Sequence, residues 1–316
     1  MKSKEENQME ISIVVPIYNE GLIIPELHRR LAAAAAQVSD DYELIFVNDG
    51  SKDNSLAELK KLAEQFPKVR YFSFSRNFGH QVAVSAGLDH TSGNVVVIID
   101  GDLQDPPELI PELYKKYKEG FQVVYAKRKN RDGESFFKKF TAKMFYRTLA
   151  SITSIDIPLD TGDYRLMDKI VVDNLKKMPE RHKFLRGQIA WIGFEQTFVH
   201  FDRDKRMHGE TGYTIKKMFQ FALDGITAFS VAPLRFVTWA GFTVSFIAFL
   251  VIFYALYSKF VLDQVVDGWT SMIMSVMFIG GVQLIAIGII GEYLSRINTD
   301  VKSRPLYIMA ETSDEK

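Results

Sequence analysis

The sequence predicts an α/β protein built on a mainly parallel sheet and followed by a hairpin of two membrane-spanning helices. Three observations carry this reading. Short β-branched, apolar runs alternate with longer stretches of helical periodicity ahead of the C-terminal third. A polar cluster follows each of the first four runs. Two long segments near the C-terminus carry no charged residue.

Ile11 to Val15, Tyr42 to Val47, Val69 to Phe74, Val95 to Ile99 and Gln122 to Ala126 read as strands, with helical stretches such as Pro25 to Gln37 and Asn54 to Gln65 between them. Such alternation implies right-handed βαβ units. Roughly 230 residues precede the first uncharged segment, enough for one sizeable core. The alanines Ala32 to Ala36 fall within a helical pattern and read as close packing.

Phe236 to Tyr257 and Trp269 to Gly291 are each long enough to cross a hydrocarbon core of about 30 Å as a helix. The link between them carries Lys259, Asp263 and Asp267, whereas Lys216, Lys217 and Arg235 precede the hairpin and Arg296, Lys302 and Arg304 follow it. Positive charge on the outer flanks places both ends of the hairpin in the cytoplasm. The expected organisation is a catalytic domain over 1–210, a juxtamembrane amphipathic helix over 211–234, the hairpin over 235–294 and a cytoplasmic tail over 295–316.

Lys+Arg 39 balance Asp+Glu 39, so no bulk charge favours nucleic acid, which is not expected as a partner. The absence of cysteine excludes disulfides and thiolate metal sites. Met1 to Gln8 is charged and Ile11 to Ile17 is too short for a signal-peptide core, so the catalytic part is expected to stay in the cytoplasm of an integral inner or plasma membrane protein.

The polar clusters carry the chemistry. The first strand runs into Pro16-Ile17-Tyr18-Asn19-Glu20, the second into Asn48-Asp49-Gly50-Ser51, the third into Ser75-Arg76-Asn77-Phe78-Gly79-His80, and the fourth into Asp100-Gly101-Asp102-Leu103-Gln104-Asp105-Pro106-Pro107. All four fall on the carboxyl edge of the sheet, where open α/β sheets bind ligands. Asp-Gly-Asp alone is also what a solvated turn is made of. Directly after a buried strand, however, two carboxylates so spaced suit a hard cation shared with substrate phosphates, and hence a metal-bound nucleoside diphosphate. No G-x-G-x-x-G or G-x-x-x-x-G-K-[ST] is present, which argues against a dinucleotide or P-loop site. A uracil or similar base held by backbone atoms and Asp49, over Tyr18, fits better.

Together with Thr161-Gly162-Asp163-Tyr164-Arg165-Leu166-Met167-Asp168, Leu223-Asp224-Gly225-Ile226 and Gly288-Ile289-Ile290-Gly291-Glu292-Tyr293, these loops resemble family 2 glycosyltransferases of the GT-A, Rossmann-like fold. Within that family they are similar to the GtrB-like bactoprenol (undecaprenyl phosphate) glucosyltransferases, related to dolichol-phosphate mannose synthase. The resemblance spans about Ile11 to Leu306. It implies an inverting transfer from a UDP-sugar, UDP-glucose first among them, to a polyprenyl phosphate at the cytoplasmic membrane face, with Mg²⁺ or Mn²⁺ as cofactor.

Carried onto this sequence, the resemblance places Pro16, Tyr18, Glu20 and Asp49 on the nucleoside, with Asp100 and Asp102 on the metal and diphosphate, Asp102 as the direct ligand. It sets Gln104 against the donor sugar and Asp163, after the Pro158 loop, beside the reacting centre. The acceptor phosphate falls to Arg128, Arg131, Arg203 and Arg206, residue types suited to bidentate phosphate contacts. Gly212 stands where the family has a lysine; Lys205, His208 or Lys216 could supply that contact. Two interfacial helices are expected, Glu134 to Ser151 with interleaved Phe and Lys, and Tyr213 to Phe229.

Other readings stay open at this point: another donor to the same lipid (UDP-GlcNAc, UDP-galactose, an aminoarabinose-type sugar or GDP-mannose), a processive synthase, or a non-catalytic nucleotide-sugar sensor. A processive enzyme should carry Q-x-x-R-W, and Gln188-Ile189-Ala190-Trp191 has no Arg before its Trp. A homo-oligomer is possible on the same resemblance. The sequence does not encode the sugar.

Overall fold

The computed structural model describes residues 9–128, 161–202, 230, 232–261 and 268–314. Residues 11–17 form β1, every one of them buried, because the run Ile11–Ile17 is covered on both faces. The helix α1 (Ile24–Ala36) follows, with Pro25 in its first turn and Ile24, Leu27, Leu31, Ala34 and Ala35 on its buried face. That is the i, i+3, i+4, i+7 stripe of a helix packed on a sheet. Then come β2 (Tyr42–Asn48), α2 (Ser55–Gln65), β3 (Val69–Phe74), α3 (His80–Asp89), β4 (Val95–Ile98), a 3₁₀ turn over Pro107–Leu109, α4 (Ile110–Lys118) and β5 (Val123–Arg128). From the next described residue, Thr161, follow β6 (Thr161–Asp168), α5 (Lys169–Lys176), α6 (Leu185–Ile192) and β7 (Gln196–Phe201). Two long helices, α7 (Ala232–Phe260) and α8 (Trp269–Val301), and a last short strand, β8 (Met309–Thr312), complete the described chain.

The strands form one eight-stranded sheet in the order β7-β5-β6-β4-β1-β2-β3-β8. β1 pairs in parallel with β2 and β4, β2 with β3, and β5 with β7. β6 runs antiparallel between β4 and β5, and β8 runs antiparallel along β3. The mainly parallel expectation holds, with β6 and β8 as the reversed strands. Alternate residues of β1 divide between two cores: Ile11, Ile13, Val15 and Ile17 face α1 and α4, whereas Val14 joins Ile45, Val47, Val96 and Ile98 under α3, α5 and α6.

The anticipated strand ends fall close to those observed, with β1 running two residues past Val15 and β5 reaching Arg128. Asp163, expected in a loop, lies inside β6, because the run Thr161–Asp168 pairs with both β4 and β5. The tail expected after 295 is different in character, since the described chain continues as helix to Val301 and then contributes β8 to the sheet. The expected interfacial helices at 134–151 and 213–229 lie outside the described residues.

Both long helices meet the length and hydropathy needed to span a membrane, over Ala232–Ser258 and Ser271–Val301. Their apolar side chains point outward, with Phe236 and Trp239 each 72 % exposed. Water would penalise such a surface at about 25 cal/mol per Å², whereas hydrocarbon would not.

Candidate active site

The four loops predicted at the carboxyl edge do meet there. The first two are laced together by Asn19: its N–H donates to Ser51 Oγ at 2.9 Å and its Oδ1 accepts from Lys52 N at 2.8 Å. Asn19 adopts a left-handed φ of 56°, which Asn tolerates well. The Glu20 and Gly21 amides donate to Ser55 Oγ and Asp53 Oδ2. Gly50 has φ 65°, and a Cβ there would stand 2.3 Å from the Arg76 carbonyl carbon, so only glycine lets the second loop lie against the third.

Asp49 secures that junction. Its buried carboxylate accepts from Phe78 N at 2.6 Å and Gly79 N at 3.0 Å. Burial raises its pKa, outweighing these donors and the nearby His80 and Arg76 charges. Tyr18 is 46 % exposed and, with Gly50, Ser51, Arg76, Asn77, Ala310 and Glu311, lines a groove of about 860 Å³. Pro16 lies inside β1 opposite Val47, its carbonyl oxygen 3.0 Å from where a Cβ on Gly101 would stand. The Asp-Gly-Asp turn therefore lies close over the end of β1, and a side chain at its centre would press on the Pro16 carbonyl and the Ile17 side chain.

Asp102 Oδ1 accepts from Gln104 N at 3.1 Å, closing the turn. Between them Leu103 is held at φ 56°, its side chain anchored in the core at 2 % exposure. A bulky residue in left-handed backbone costs on the order of 1–3 kcal/mol, and surrounding packing must hold it there.

Asp100 and Asp163 come together across β4 and β6 with His80, the first residue of α3. His80 Nε2 lies 3.1 Å from Asp163 Oδ2 and 3.6 Å from Asp100 Oδ1. Asp163 Oδ1 also receives Arg186 Nε at 2.9 Å and Arg165 Nη2 at 3.2 Å, while Gln81 Nε2 reaches Oδ2 at 3.3 Å. Arg165 is 1 % exposed and further locked by donation to the Gly162 and Asp163 carbonyls.

These charges decide the protonation states. Burial pushes the Asp163 carboxyl up, but the Arg186 charge, the His80 hydrogen bond and Arg165 outweigh it and hold it well below the usual range. Burial pushes the Asp100 carboxyl up, and the negative charges of Asp163 and Asp102 reinforce that against the opposing effect of His80. His80 is pushed up to about 9, since its hydrogen bond to Asp163 and the two carboxylate charges exceed the effect of burial. In this arrangement the imidazole is therefore protonated at pH 7 between two carboxyl groups, and it would have to give up that proton to ligate a metal.

A divalent cation fits this edge. Donor atoms of His80, Asp100 and Asp163 lie within 4.8 Å of one another, and Asp100 Oδ1 is buried without a hydrogen bond. Oxygen donors suit Mg²⁺ and a mixed oxygen and imidazole set suits Mn²⁺.

Of the residues expected on the acceptor phosphate, Arg128 ends β5 with Nη2 3.8 Å from Asp105 Oδ1, beside Gly162. Arg131, Arg203 and Arg206 lie outside the described residues. His80, Gln81, Arg165 and Arg186 had no role assigned from sequence. His80 and Arg165 stood within quoted motifs; Arg186 is one cation in the apolar helix Leu185–Ile192 and carries no local signal.

Residues 12–176 match the family model described as glycosyl transferase family 2. The chain is 50 % identical over 304 residues to an uncharacterized glycosyltransferase, YkcC, of Bacillus subtilis, covering 96 % of this chain and 94 % of that one. It is 40 % identical over 301 residues to the prophage bactoprenol glucosyl transferase homolog of Escherichia coli, covering 95 % and 98 %. A solved structure of Staphylococcus aureus TarS aligns at TM-score 0.44 and 20 % identity, over 63 % of this chain and 59 % of that one. With a sheet edge that gathers its carboxylates as described, the chain belongs to glycosyltransferase family 2 and is a glycosyltransferase.

Proposed function

We propose that the protein transfers a hexose, glucose in the first instance, from a UDP-sugar to undecaprenyl or another polyprenyl phosphate at the cytoplasmic face of the membrane. The observation that carries this reading is identity with relatives named bactoprenol glucosyl transferase, 40 to 41 % over 95 to 96 % of the chain, through both the site and the two long apolar helices. The return of the chain to the sheet as β8 after two such helices supports an even number of crossings, with both ends on the side of the catalytic edge.

The groove beside Tyr18 and Gly50 takes the nucleoside, with Asp49 fixing the loops that wall it and Pro16 and Glu20 shaping its first loop. Asp100 and Asp102 face the diphosphate, and Gln104 the sugar. Asp100 and Asp102, with His80 and Asp163 adjacent, would hold a divalent cation; when bound, it supplies positive charge to the departing diphosphate.

A phosphate oxygen of the acceptor forms the new bond to the anomeric carbon as the bond to the UDP oxygen breaks, and UDP leaves with the electron pair. One such displacement inverts the anomeric centre. The acceptor's second pKa is about 6, so the nucleophile is already largely anionic at pH 7 and needs no strong base. Asp163 suits this, because a carboxylate held well below its usual range by two arginines and His80 is a poor proton acceptor. Its work is to orient Arg186 and His80 and to face the developing positive charge on the sugar, while Arg128, with Arg131, Arg203 and Arg206, meets the acceptor phosphate.

The test is incubation of detergent-purified protein with a panel of labelled UDP-sugars and undecaprenyl phosphate, followed by lipid extraction. Label from UDP-glucose should enter the lipid phase. Label from another sugar alone would reassign the donor, and no lipid-phase label from any would overturn the acceptor.

A further inference from the structure

The last strand reaches the sheet by a long detour, after both apolar helices, and is fixed at each end. Asp314 accepts from Arg70 Nε at 3.0 Å and Nη2 at 2.5 Å. Arg70 is itself held by the buried Glu43 at 2.7 Å. At the other end Tyr307 stacks on Phe74, centroids 5.0 Å apart, and its hydroxyl donates to Asp89 at 3.2 Å. Between these pins Ala310 and Glu311 line the 860 Å³ groove that also contains Tyr18, Gly50 and Arg76. Lys60, on α2, reaches Glu311 across the rim at 2.8 Å.

Two roles suit such a strand. It covers the open edge of β3, which otherwise presents unpaired backbone groups. It also forms one side of the groove, and only this second role concerns a ligand. A four-residue edge strand has little hold of its own. Fixing it by an arginine fork at one end and an aromatic stack at the other, with a cross-rim ion pair between, suits a wall whose position matters to what the groove contains.

We infer that β8 is a wall of the donor groove, that donor occupancy and the seating of this strand are coupled, and that Glu311 with Lys60 sets the wall's position. This rests on the assignment of the groove to the nucleoside. Coupling between two equilibria is reciprocal, so a donor that binds better with the strand seated must also tighten the strand. The strand is the next element after α8, joined to it by residues 302–308, so the coupling links the donor groove to the membrane hairpin.

The test uses the full chain in detergent and UDP as the probe. Calorimetry on the unaltered protein comes first, and absence of binding would overturn the nucleoside assignment and the inference with it. Given binding, UDP should slow hydrogen exchange of the 308–313 amides; unchanged exchange there would overturn the coupling alone. Asp314→Ala then removes the far pin without touching the groove. The UDP Kd and the donor KM should both rise at least about fivefold, the lower end of ordinary coupling. Acceptor KM and kcat at saturating donor should hold, a split that general loss of stability would not produce. If Asp314→Ala leaves exchange in β8 unchanged, ending the chain before Leu306 supplies the unseated state. In whichever variant unseats the strand, UDP affinity equal to that of the unaltered protein would leave β8 as edge cover and refute the inference.

Discussion

Asp163→Asn separates a positioning carboxylate from a proton acceptor. The substitution keeps size and one oxygen but removes the charge that Arg186, Arg165 and His80 all face. Arg165 stays held by the Gly162 and Asp163 carbonyls, so the loss falls on Arg186, His80 and the charge that faces the sugar. Removing one preorganised electrostatic group from a transition state costs about 3 kcal/mol, roughly two orders of magnitude in kcat. The groove residues that take UDP are untouched, so the UDP Kd should stay within about twofold, a change of about 0.4 kcal/mol. Steady-state transfer to undecaprenyl phosphate gives kcat, and calorimetry gives the Kd. The carboxyl is held well below its usual range, so it is ionised throughout pH 6.5 to 8.5 and the ratio of variant to unaltered rate should not climb there; His80 loses in the variant the partner that raises it, and its earlier loss of the proton can only lower the ratio as pH rises. A ratio climbing toward one as pH rises would mean that hydroxide replaces a missing base, and the positioning argument would fail.

Four further outcomes are expected. Asp102→Asn should lose most activity, and chelator should abolish transfer in a way that Mg²⁺ or Mn²⁺ restores; undiminished transfer in EDTA would remove the metal from the site. Asp49→Ala should free the Phe78 and Gly79 amides, cost about 1–3 kcal/mol of stability and weaken UDP binding, as melting and calorimetry would register. Reporters before Ile11 and after the last residue should share the cytoplasmic side while one between the two long helices lies opposite; an external C-terminus would exclude the hairpin. Burial raises the Glu43 carboxyl, but Ser12, Ser92 and Arg70 together lower it below its ordinary value, so its contribution is present above the unfolded carboxyl value of about 4.3 and lost as pH falls through the folded one. The drop in Tm from pH 7 to about pH 3 should accordingly be smaller in Glu43→Gln than in the unaltered chain.

The parallel strands were legible because burial on both faces writes itself as continuous apolar runs such as Val95 to Ile99. β6 was not: Asp163, Arg165 and Asp168 interrupt the apolar pattern because two of them point into the site and one caps α5. β8 is four residues long, and its pairing of Phe72 with Thr312 spans most of the chain, which no local pattern records. The carboxylates were legible because they follow strands directly. Their cationic partners were not, since His80 and Arg186 begin separate helices and converge on Asp163 only through the sheet order.

The reversed direction of β6 means that the two carboxylates flanking His80 reach the same edge from opposite chain directions. β4 delivers Asp100 just past its last residue, whereas β6 delivers Asp163 near its first. The pairing of Val95 to Ile98 with Asp168 to Arg165 sets how far each strand carries its carboxylate toward that edge. Side chains alternate between faces along a strand, so a slip of one residue between β4 and β6 would turn Asp163 to the other face and part it from Asp100. The spacing of these two charges is thus a property of strand register and not of loop conformation.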